Sequence, residues 1–164
     1  VVSYADILYE ETVLQALLKS TAPISVVVDL AWRPYWERRF STPLSDAESL
    51  RMAGDGRILS IGQSVSAIEE IQGQYIGLTR FRKEGLNVLE EVGQRLRVGA
   101  ITPPGGRSFQ KMYMTDLLQA IIDSGVRVQA VLIHRKWLEI DSLLDYAIAT
   151  QYVTAGSDGC QILM

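Results

Sequence analysis

The sequence contains little cysteine and little histidine, and this scarcity argues against several kinds of reactive site. Its single cysteine, Cys160, cannot form an internal disulfide, which is typical of proteins in a reducing compartment such as the cytoplasm. A nucleophilic thiol needs a nearby base, and the one histidine, His134, ends an apolar segment that reads as a strand. We therefore expect His134 to be structural, and no pattern of a zinc site, a serine triad or a Walker loop is present.

The sequence also lacks long apolar runs and a strong bias in charge. No apolar run approaches the roughly 18 residues of a membrane span, and the first residues do not resemble a signal peptide. The chain has 16 basic and 19 acidic residues and a net charge of −3, which gives no electrostatic case for a nucleic-acid partner. Its 164 residues, 48% hydrophobic and 21% charged, are typical of one ordinary globular domain.

The order of apolar segments predicts an α/β fold with a mixed sheet. Residues 24–30 form a continuous β-branched run, which indicates a strand buried on both faces. With a strand end at 1–7 and a helix at 10–20, this run predicts a right-handed βαβ unit. The next predicted segments are a loop or short helix at 32–40, two strands in 45–62 joined by a turn at Asp55–Gly56, and a strand at 71–81. They are followed by a helix at 83–97, a loop at 103–106, and a helix at 111–125 that is started by a cap at Thr115, Asp116 or both and ended by Gly125. The last predicted segments are strands at 126–134 and 137–141 and a helix capped by Ser142.

Two aspartates, Asp6 and Asp141, follow predicted strands at the point where each strand ends. Ligands of open α/β sheets gather at the carboxyl ends of the strands. Mg²⁺ prefers one or two carboxylates together with phosphate oxygens of a substrate, so these two side chains are candidate ligands of a single ion. Each aspartate also precedes a helix, and a helix cap is the alternative role.

Aromatic residues are concentrated near predicted strand ends and loops: Tyr4, Tyr9, Trp32, Tyr35, Trp36, Tyr75, Tyr113 and Trp137. Together with Asp29 and Glu139 they could enclose an ammonium group through cation–π and charge contacts, with ordinary core packing as the alternative. Three arginines, Arg33, Arg38 and Arg39, could instead hold a phosphate or phosphonate, or form a solvated face. The glycines at 105–106 are only a weak signal for a phosphate-binding loop.

Several segments in this order resemble the nucleotidyltransferases of the sugar-phosphate and phosphocholine cytidylyltransferase group, in particular the transferase domains of phosphonate biosynthesis that are often fused to a phosphoenolpyruvate mutase. The segments that carry the resemblance are YADILYEETVLQALLKS, VVVDLAWRPYWERRF, SDAESLRMAGDGRILSIG, EIQGQYIGLTRF and WLEIDSLLDY. Members of this group carry a glycine-rich triphosphate loop ahead of the strand that ends in the metal aspartate. The resemblance implies a Rossmann-like nucleotidyltransferase fold with a β-hairpin insertion. It also implies that residues 1–152 are the C-terminal portion of one domain, that 153–164 form an irregular tail, and that this chain alone is inactive.

The resemblance implies a Mg²⁺-dependent transfer of a nucleotidyl group, CMP from CTP, to a phosphonate or phosphorylated amine such as 2-aminoethylphosphonate or phosphocholine. It assigns the metal and catalytic role to Asp6 and Asp141. It assigns contacts with the acceptor to Trp32, Glu70, Gln72, Tyr75, Tyr113 and Glu139. It also allows a fused mutase domain in the parent protein, and separately a homodimer could form through the hairpin or the C-terminal helix. The alternatives are a sugar-1-phosphate nucleotidyltransferase and a non-catalytic binding or assembly module with a degenerate transferase fold.

Overall fold

A computed structural model describes residues 1–155 of the chain, and its architecture is mixed α/β. The strands are β1 (Val2–Ser3), β2 (Ile7–Tyr9), β3 (Ile24–Asp29), β4 (Leu50–Met52), β5 (Ile58–Ile61), β6 (Gln74–Phe81), β7 (Val128–Ile133) and β8 (Trp137–Glu139). The helices are α1 (Glu11–Lys19), α2 (Arg33–Arg39), α3 (Lys83–Arg97), α4 (Met114–Asp123) and α5 (Leu143–Ala155). Short 3₁₀ turns lie at Pro43–Ser45, Ile68–Glu70, Pro104–Gly106 and Phe109–Lys111.

The central sheet has four strands in the order β1-β6-β3-β7, which confirms the predicted mixed sheet. Strands β3 and β7 are parallel, whereas β6 runs antiparallel to both β1 and β3. Strands β1 and β3 are therefore parallel to each other with β6 between them, while β2, which directly precedes α1, pairs with β8. Two antiparallel pairs, β2-β8 and β4-β5, complete the strand pairing among the described residues.

The core lies on both faces of this sheet, as the β-branched run of β3 predicts. All six residues of β3 are buried, and alternate side chains of the strand enter different hydrophobic clusters. Val27 faces the aromatic cluster that contains Tyr35, Trp36 and Trp137. Val26 packs on the other face, in the cluster formed with the β4-β5 hairpin, α3 and α4. Burial on two faces explains why β3 has no polar alternation.

Helix α4 is shorter than predicted, and the prediction that it starts with a cap at Thr115 or Asp116 is wrong. Tyr113 is the N-cap, and its backbone N–H donates to the Asp116 carboxylate at 2.9 Å. Asp116 therefore lies inside the first turn and satisfies an otherwise unpaired N–H group from there. Glycine ends the helix as predicted, with Gly125 at φ +85°.

Asp29 ends β3 and organises the turn between β7 and β8. Its carboxylate accepts hydrogen bonds from the backbone N–H of Ala31 at 2.8 Å, the backbone N–H of Arg135 at 3.0 Å and the indole N–H of Trp137 at 3.0 Å. Arg135 and Lys136 both have positive φ, which is uncommon for residues other than glycine. The buried carboxylate therefore holds a strained turn in place, and this turn sets the position of β8.

The last helix, α5, runs to Ala155, beyond the start of the predicted tail at residue 153. Ser142 caps this helix as predicted, because its hydroxyl accepts the backbone N–H of Asp145 at 3.2 Å. Cys160 and the rest of the tail lie outside the described residues.

Candidate functional site

A cavity of about 470 Å³ opens beside the ends of β6 and β8. Its walls come from the turn after β1, from α2, from the segment before β4, from β6, from the start of α4 and from β8. The lining residues are Tyr4, Trp36, Asp46, Glu48, Gln74, Tyr75, Met112, Tyr113, Met114, Thr115 and Glu139. Three carboxylates and four aromatic rings therefore surround a space large enough for a small organic ligand.

The three carboxylates of the cavity are held in different ways. Asp46 accepts the indole N–H of Trp36 at 3.1 Å, and Glu139 pairs with the Arg39 guanidinium at 2.6 Å. Burial raises the pKa of Glu48, and a hydrogen bond from Thr115 opposes that rise only in part. Of the three, Glu139 is paired with an arginine, whereas Asp46 is held by an indole N–H and Glu48 by the Thr115 hydroxyl.

Gln74 fixes the backbone that carries Glu48. Its side-chain amide donates to the Glu48 carbonyl at 2.8 Å and accepts the Glu48 N–H at 3.4 Å. Gln74 is itself buried in β6, with 4% of its surface exposed. The backbone of Glu48 is therefore anchored to the central sheet through Gln74.

The aromatic walls are built on β6. Tyr4 and Tyr75 meet edge to face with ring centroids 5.9 Å apart, and the Tyr75 hydroxyl lies 2.7 Å from that of Thr79. Burial, followed by the charges of Glu48, Glu139 and Asp6, raises the pKa of Tyr4 to about 12, so this phenol stays neutral at physiological pH.

The tyrosine at position 4 needs a glycine behind it. A Cβ atom on Gly77, which has φ +79°, would lie 2.5 Å from the Tyr4 ring. The Tyr4 N–H also donates to the Gly77 carbonyl at 2.9 Å. Only glycine combines this backbone conformation with such a close approach of the ring.

Arg39 is the charged centre of the wall behind the cavity. Its guanidinium donates to Asp145 at 2.8 Å, to Asp141 at 2.7 Å and to Glu139 at 2.6 Å, with only 1% of the side chain exposed. The rings of Tyr35, Trp36 and Phe40 flank it, with centroids 5.0–5.3 Å from Cζ. Three carboxylates share one cation, so the cluster carries an excess of negative charge.

The pKa values of this cluster follow from burial and from the same ion pairs. Burial lowers the pKa of Arg39, but its hydrogen bonds to Asp145 and Glu139 outweigh that effect and the pKa rises. Burial raises the pKa of Asp145, but bonds from Arg39 and Ser142 bring it below the ordinary value. For Glu139 burial dominates, and its pKa is raised.

The two predicted metal ligands lie at one end of the β2-β8 ribbon. Ile7 pairs with Glu139, and the Ile140 N–H donates to the Asp6 carbonyl at 2.8 Å, so the backbones of Asp6 and Asp141 lie near each other just beyond the paired strands. Asp6 is exposed, and 48% of the Asp141 side chain is exposed. Two accessible carboxylates suit Mg²⁺ chemistry when a substrate adds phosphate oxygens. Among residues 1–155, no group of three or more His, Cys, Asp or Glu side chains is arranged to hold a metal. The metal role of both aspartates stays a prediction.

Of the six predicted acceptor contacts, Tyr75, Tyr113 and Glu139 line the cavity, and the other three lie outside its lining. Trp32 is buried in the aromatic core against Trp36. Glu70 is exposed and accepts hydrogen bonds from Ser66 and Ala67, and the Gln72 side chain accepts the Met52 N–H. The roles predicted for these three residues are untested, but their positions put them away from the cavity.

The residues that the sequence grouped as a possible ammonium site or phosphate site do not all lie at the cavity. Asp29 is fully buried and engaged in the turn described above, so it does not face the cavity. Arg33 pairs with Glu37 on α2, while Arg39 is buried among its three carboxylates. His134 is exposed at the end of β7.

Sequence reasoning missed four polar residues of the cavity: Asp46, Glu48, Gln74 and Thr115. Gln74 carried the clearest signal, because it is an amide at the start of a strand in which Ile76, Leu78 and Phe81 are buried. The acids at 46 and 48 sit in a segment whose pattern matches any polar turn, so only the folded chain shows where they point.

Comparison with known proteins gives one curated relative and many solved structures with a similar fold. The chain is 36% identical over 148 residues to the CTP:phosphoglutamine cytidylyltransferase of Campylobacter jejuni, covering 90% of this chain and 57% of the relative. The chain therefore spans little more than half the length of that protein. It matches no established family profile.

Two solved structures show the shared architecture. The inositol-1-phosphate CTP transferase from T. maritima superimposes with a TM-score of 0.59 at 16% identity, over 94% of this chain and 55% of that one. A protein assigned as a glucose-1-phosphate thymidylyltransferase from Bacillus anthracis gives a TM-score of 0.58 at 9% identity, over 90% of this chain and 51% of that one. The fold is thus that of nucleotidyltransferases. Within the described residues we find no helix with the length and apolarity needed to cross a membrane.

Proposed function

We propose that these residues belong to a cytidylyltransferase that transfers CMP from CTP to a phosphorylated amine or an aminophosphonate and releases pyrophosphate. One observation carries the proposal: in a chain similar to a cytidylyltransferase, an acidic and aromatic cavity lies beside the ribbon end that bears Asp6 and Asp141. The cavity would bind the acceptor, and the two aspartates would lie on the side of the nucleotide.

The walls of the cavity favour a cationic group on the acceptor. Glu48 and Glu139 supply negative charge, and the rings of Tyr4 and Tyr75 can contact an ammonium group through cation–π interactions. The Tyr113 ring already carries the Arg107 guanidinium, with Cζ 4.2 Å from the ring centroid. A sugar would instead call for several hydrogen-bonding groups directed at its hydroxyls, and here Asp46 is engaged with Trp36 while Gln74 and Thr115 are engaged with Glu48. The lining therefore supports an amine such as 2-aminoethylphosphonate or phosphocholine over a sugar phosphate.

In the proposed reaction, an oxygen of the acceptor phosphate or phosphonate attacks the α-phosphorus of CTP. A new P–O bond forms to the acceptor, the bond between the α-phosphorus and the bridging oxygen breaks, and the electron pair leaves with pyrophosphate. The attacking oxygen is already anionic at neutral pH, so no general base is required. This suits a chain with a single, exposed histidine.

The protein's part in this reaction is to position the acceptor and to balance charge. Asp6 and Asp141 would hold Mg²⁺, which in such sites neutralises the negative charge of phosphate oxygens. Glu48 and the tyrosines would orient the amine end of the acceptor, so that its phosphorus end points out of the cavity.

The test is turnover of the full-length protein with each nucleoside triphosphate and a panel of aminophosphonates, phosphorylated amines and sugar phosphates. Pyrophosphate release and ³¹P NMR of the product are the measurements. We expect CTP with an amine-bearing acceptor to be the best pair, and Asp6→Ala to lower turnover at least ~100-fold, the scale of losing one key electrostatic contact. The matched control is Glu91→Gln on the exposed face of α3, which should react like the wild type. Preference for a sugar phosphate, or near-normal turnover by Asp6→Ala with Mg²⁺, would contradict the proposal.

A further inference from the structure

The buried Arg39 guanidinium contacts three carboxylates at once. Its Nε and Nη2 atoms form a fork on Asp145, at 2.8 and 3.4 Å, while Nη2 also donates to Asp141 and Nη1 donates to Glu139. Such a planar set of donors can hold several carboxylates in fixed relative positions, which an ammonium group cannot do. The three acids come from one short stretch of chain, the end of β8 and the start of α5.

Two of these acids belong to different parts of the proposed site. Glu139 lines the cavity that would take the acceptor, and Asp141 is one of the two predicted metal ligands. Their backbone positions differ by only two residues, but each side chain must face its own ligand. The Arg39 guanidinium contacts both carboxylates.

Helix α2 reinforces this arrangement one turn before Arg39. The Tyr35 hydroxyl donates to the Glu139 carbonyl at 3.1 Å and accepts the Glu139 N–H at 3.0 Å. Tyr35 and Arg39 are four residues apart and therefore lie on the same face of the helix. The backbone of Glu139 is held by Tyr35 and its side chain by Arg39, so α2 controls the geometry of β8 at the cavity.

We propose that Arg39 is a positioning residue that fixes Glu139 and Asp141 relative to each other and thereby couples binding of the acceptor to binding of the metal. This inference rests on the proposed function, since it assigns one ligand to each carboxylate. Arg39 is not itself a catalytic residue, because its own donors are already taken by the three acids. Coupling of this kind is reciprocal, so the acceptor must change the affinity for Mg²⁺ by the same factor by which Mg²⁺ changes the affinity for the acceptor.

The test uses the full-length Arg39→Lys protein, with Arg97→Lys on the exposed surface of α3 as the matched control. Lysine keeps the positive charge and loses the fork. We expect the Mg²⁺ concentration for half-maximal turnover and the KM for 2-aminoethylphosphonate each to rise about 10-fold or more, the range seen when groups that orient metal ligands are removed. Arg97→Lys should match the wild type in both. Values within twofold of wild type in folded Arg39→Lys protein would overturn the proposal.

A second variant keeps the test decisive if Arg39→Lys does not fold. Glu139→Gln leaves Arg39 its two aspartates and removes a cavity charge that is not a predicted metal ligand. We expect it to shift the Mg²⁺ requirement several-fold, and an unchanged Mg²⁺ requirement would overturn the coupling.

Binding measurements separate this inference from the proposed function. Mg²⁺-dependent change in melting temperature and quenching of tryptophan fluorescence by 2-aminoethylphosphonate need no turnover, and Trp36 lies in the cavity wall as a reporter. If the wild-type protein has no transferase activity, the proposed function is wrong. The coupling can still be tested in that case, by asking whether each ligand changes the binding signal of the other. If Mg²⁺ leaves the affinity for 2-aminoethylphosphonate unchanged in the wild type, the coupling is wrong.

Discussion

Replacing Asp29 with Asn should destabilise the protein without changing its affinity for the acceptor. The carboxylate accepts three N–H groups in a fully buried site. In the variant, the amide oxygen can keep the two backbone bonds at one position, but the new NH₂ group then faces the indole N–H of Trp137. An unsatisfied buried donor costs about 1–3 kcal/mol, and the two remaining bonds each lose about 1 kcal/mol of charge assistance. The sum is about 3–5 kcal/mol, a large part of the ~5–15 kcal/mol that stabilises a typical domain.

Urea unfolding followed by tryptophan fluorescence measures this loss directly, with the slope m as a check that the same surface is exposed. The matched control is Asp55→Asn in the β4-β5 turn, where the exposed position becomes Asn-Gly, a favourable turn pair, and the change should stay below about 1 kcal/mol. A loss below 1 kcal/mol in Asp29→Asn would show that its three hydrogen bonds do not hold the turn. Weaker binding of 2-aminoethylphosphonate in folded Asp29→Asn protein would favour the ammonium contact that the sequence suggested for Asp29.

Three further predictions concern the cavity and the ion cluster behind it. Gly77→Ala should cost at least ~1 kcal/mol and perturb Tyr4, whereas Gly93→Ala, in a helix with open space around it, should stabilise by about 0.5–1 kcal/mol; equal urea midpoints would contradict the steric argument. Glu48→Gln should weaken binding of 2-aminoethylphosphonate about 10-fold. Because the pKa of Glu48 is raised by burial, wild-type affinity should fall as the pH drops toward that pKa, and calorimetry should find no such trend in the variant. Because the pKa of Asp145 is lowered in the folded protein, its ionised form stabilises the fold above the ordinary carboxyl pKa of about 4, and this contribution disappears as the pH falls. In Asp145→Asn the urea midpoint should therefore depend less on pH between pH 5 and 2. The same acid dependence in variant and wild type would refute the assignment.

Local pattern predicted most of the fold because local physics determines most of its elements. The continuous β-branched residues of β3 favour a buried strand and the apolar spacing of α3 favours a helix, and the Asp55–Gly56 turn has φ +75° at its glycine. The start of α4 was predicted wrongly, because a side chain inside the helix determines where the helix begins. Asp116 accepts the Tyr113 N–H from inside α4, and the apolar residues on both sides of that start give no sign of it.

The cavity was less predictable because it is assembled from six separate segments. Tyr75 and Glu139 belong to the aromatic and acidic residues that the sequence grouped as a possible ammonium site, and both line the cavity. Asp29 belongs to the same group, yet its carboxylate is consumed by the left-handed turn at Arg135 and Lys136. Nothing in the sequence around position 29 shows that two residues more than a hundred positions away adopt positive φ.

The arginines of α2 show how the same limit applies to charge. Arg33 and Arg39 both read as phosphate ligands, and their spacing alone does not separate an exposed pair from a buried hub. What decides between them is the position of the β8-α5 junction, which delivers three carboxylates to Arg39 and none to Arg33. A phosphate would have to displace all three acids to reach that guanidinium, and the remaining excess of negative charge would repel it. The sequence suggests that Arg39 on α2 binds an anion from solution. In the folded chain it instead holds the carboxylates of Glu139, Asp141 and Asp145, which attract cations.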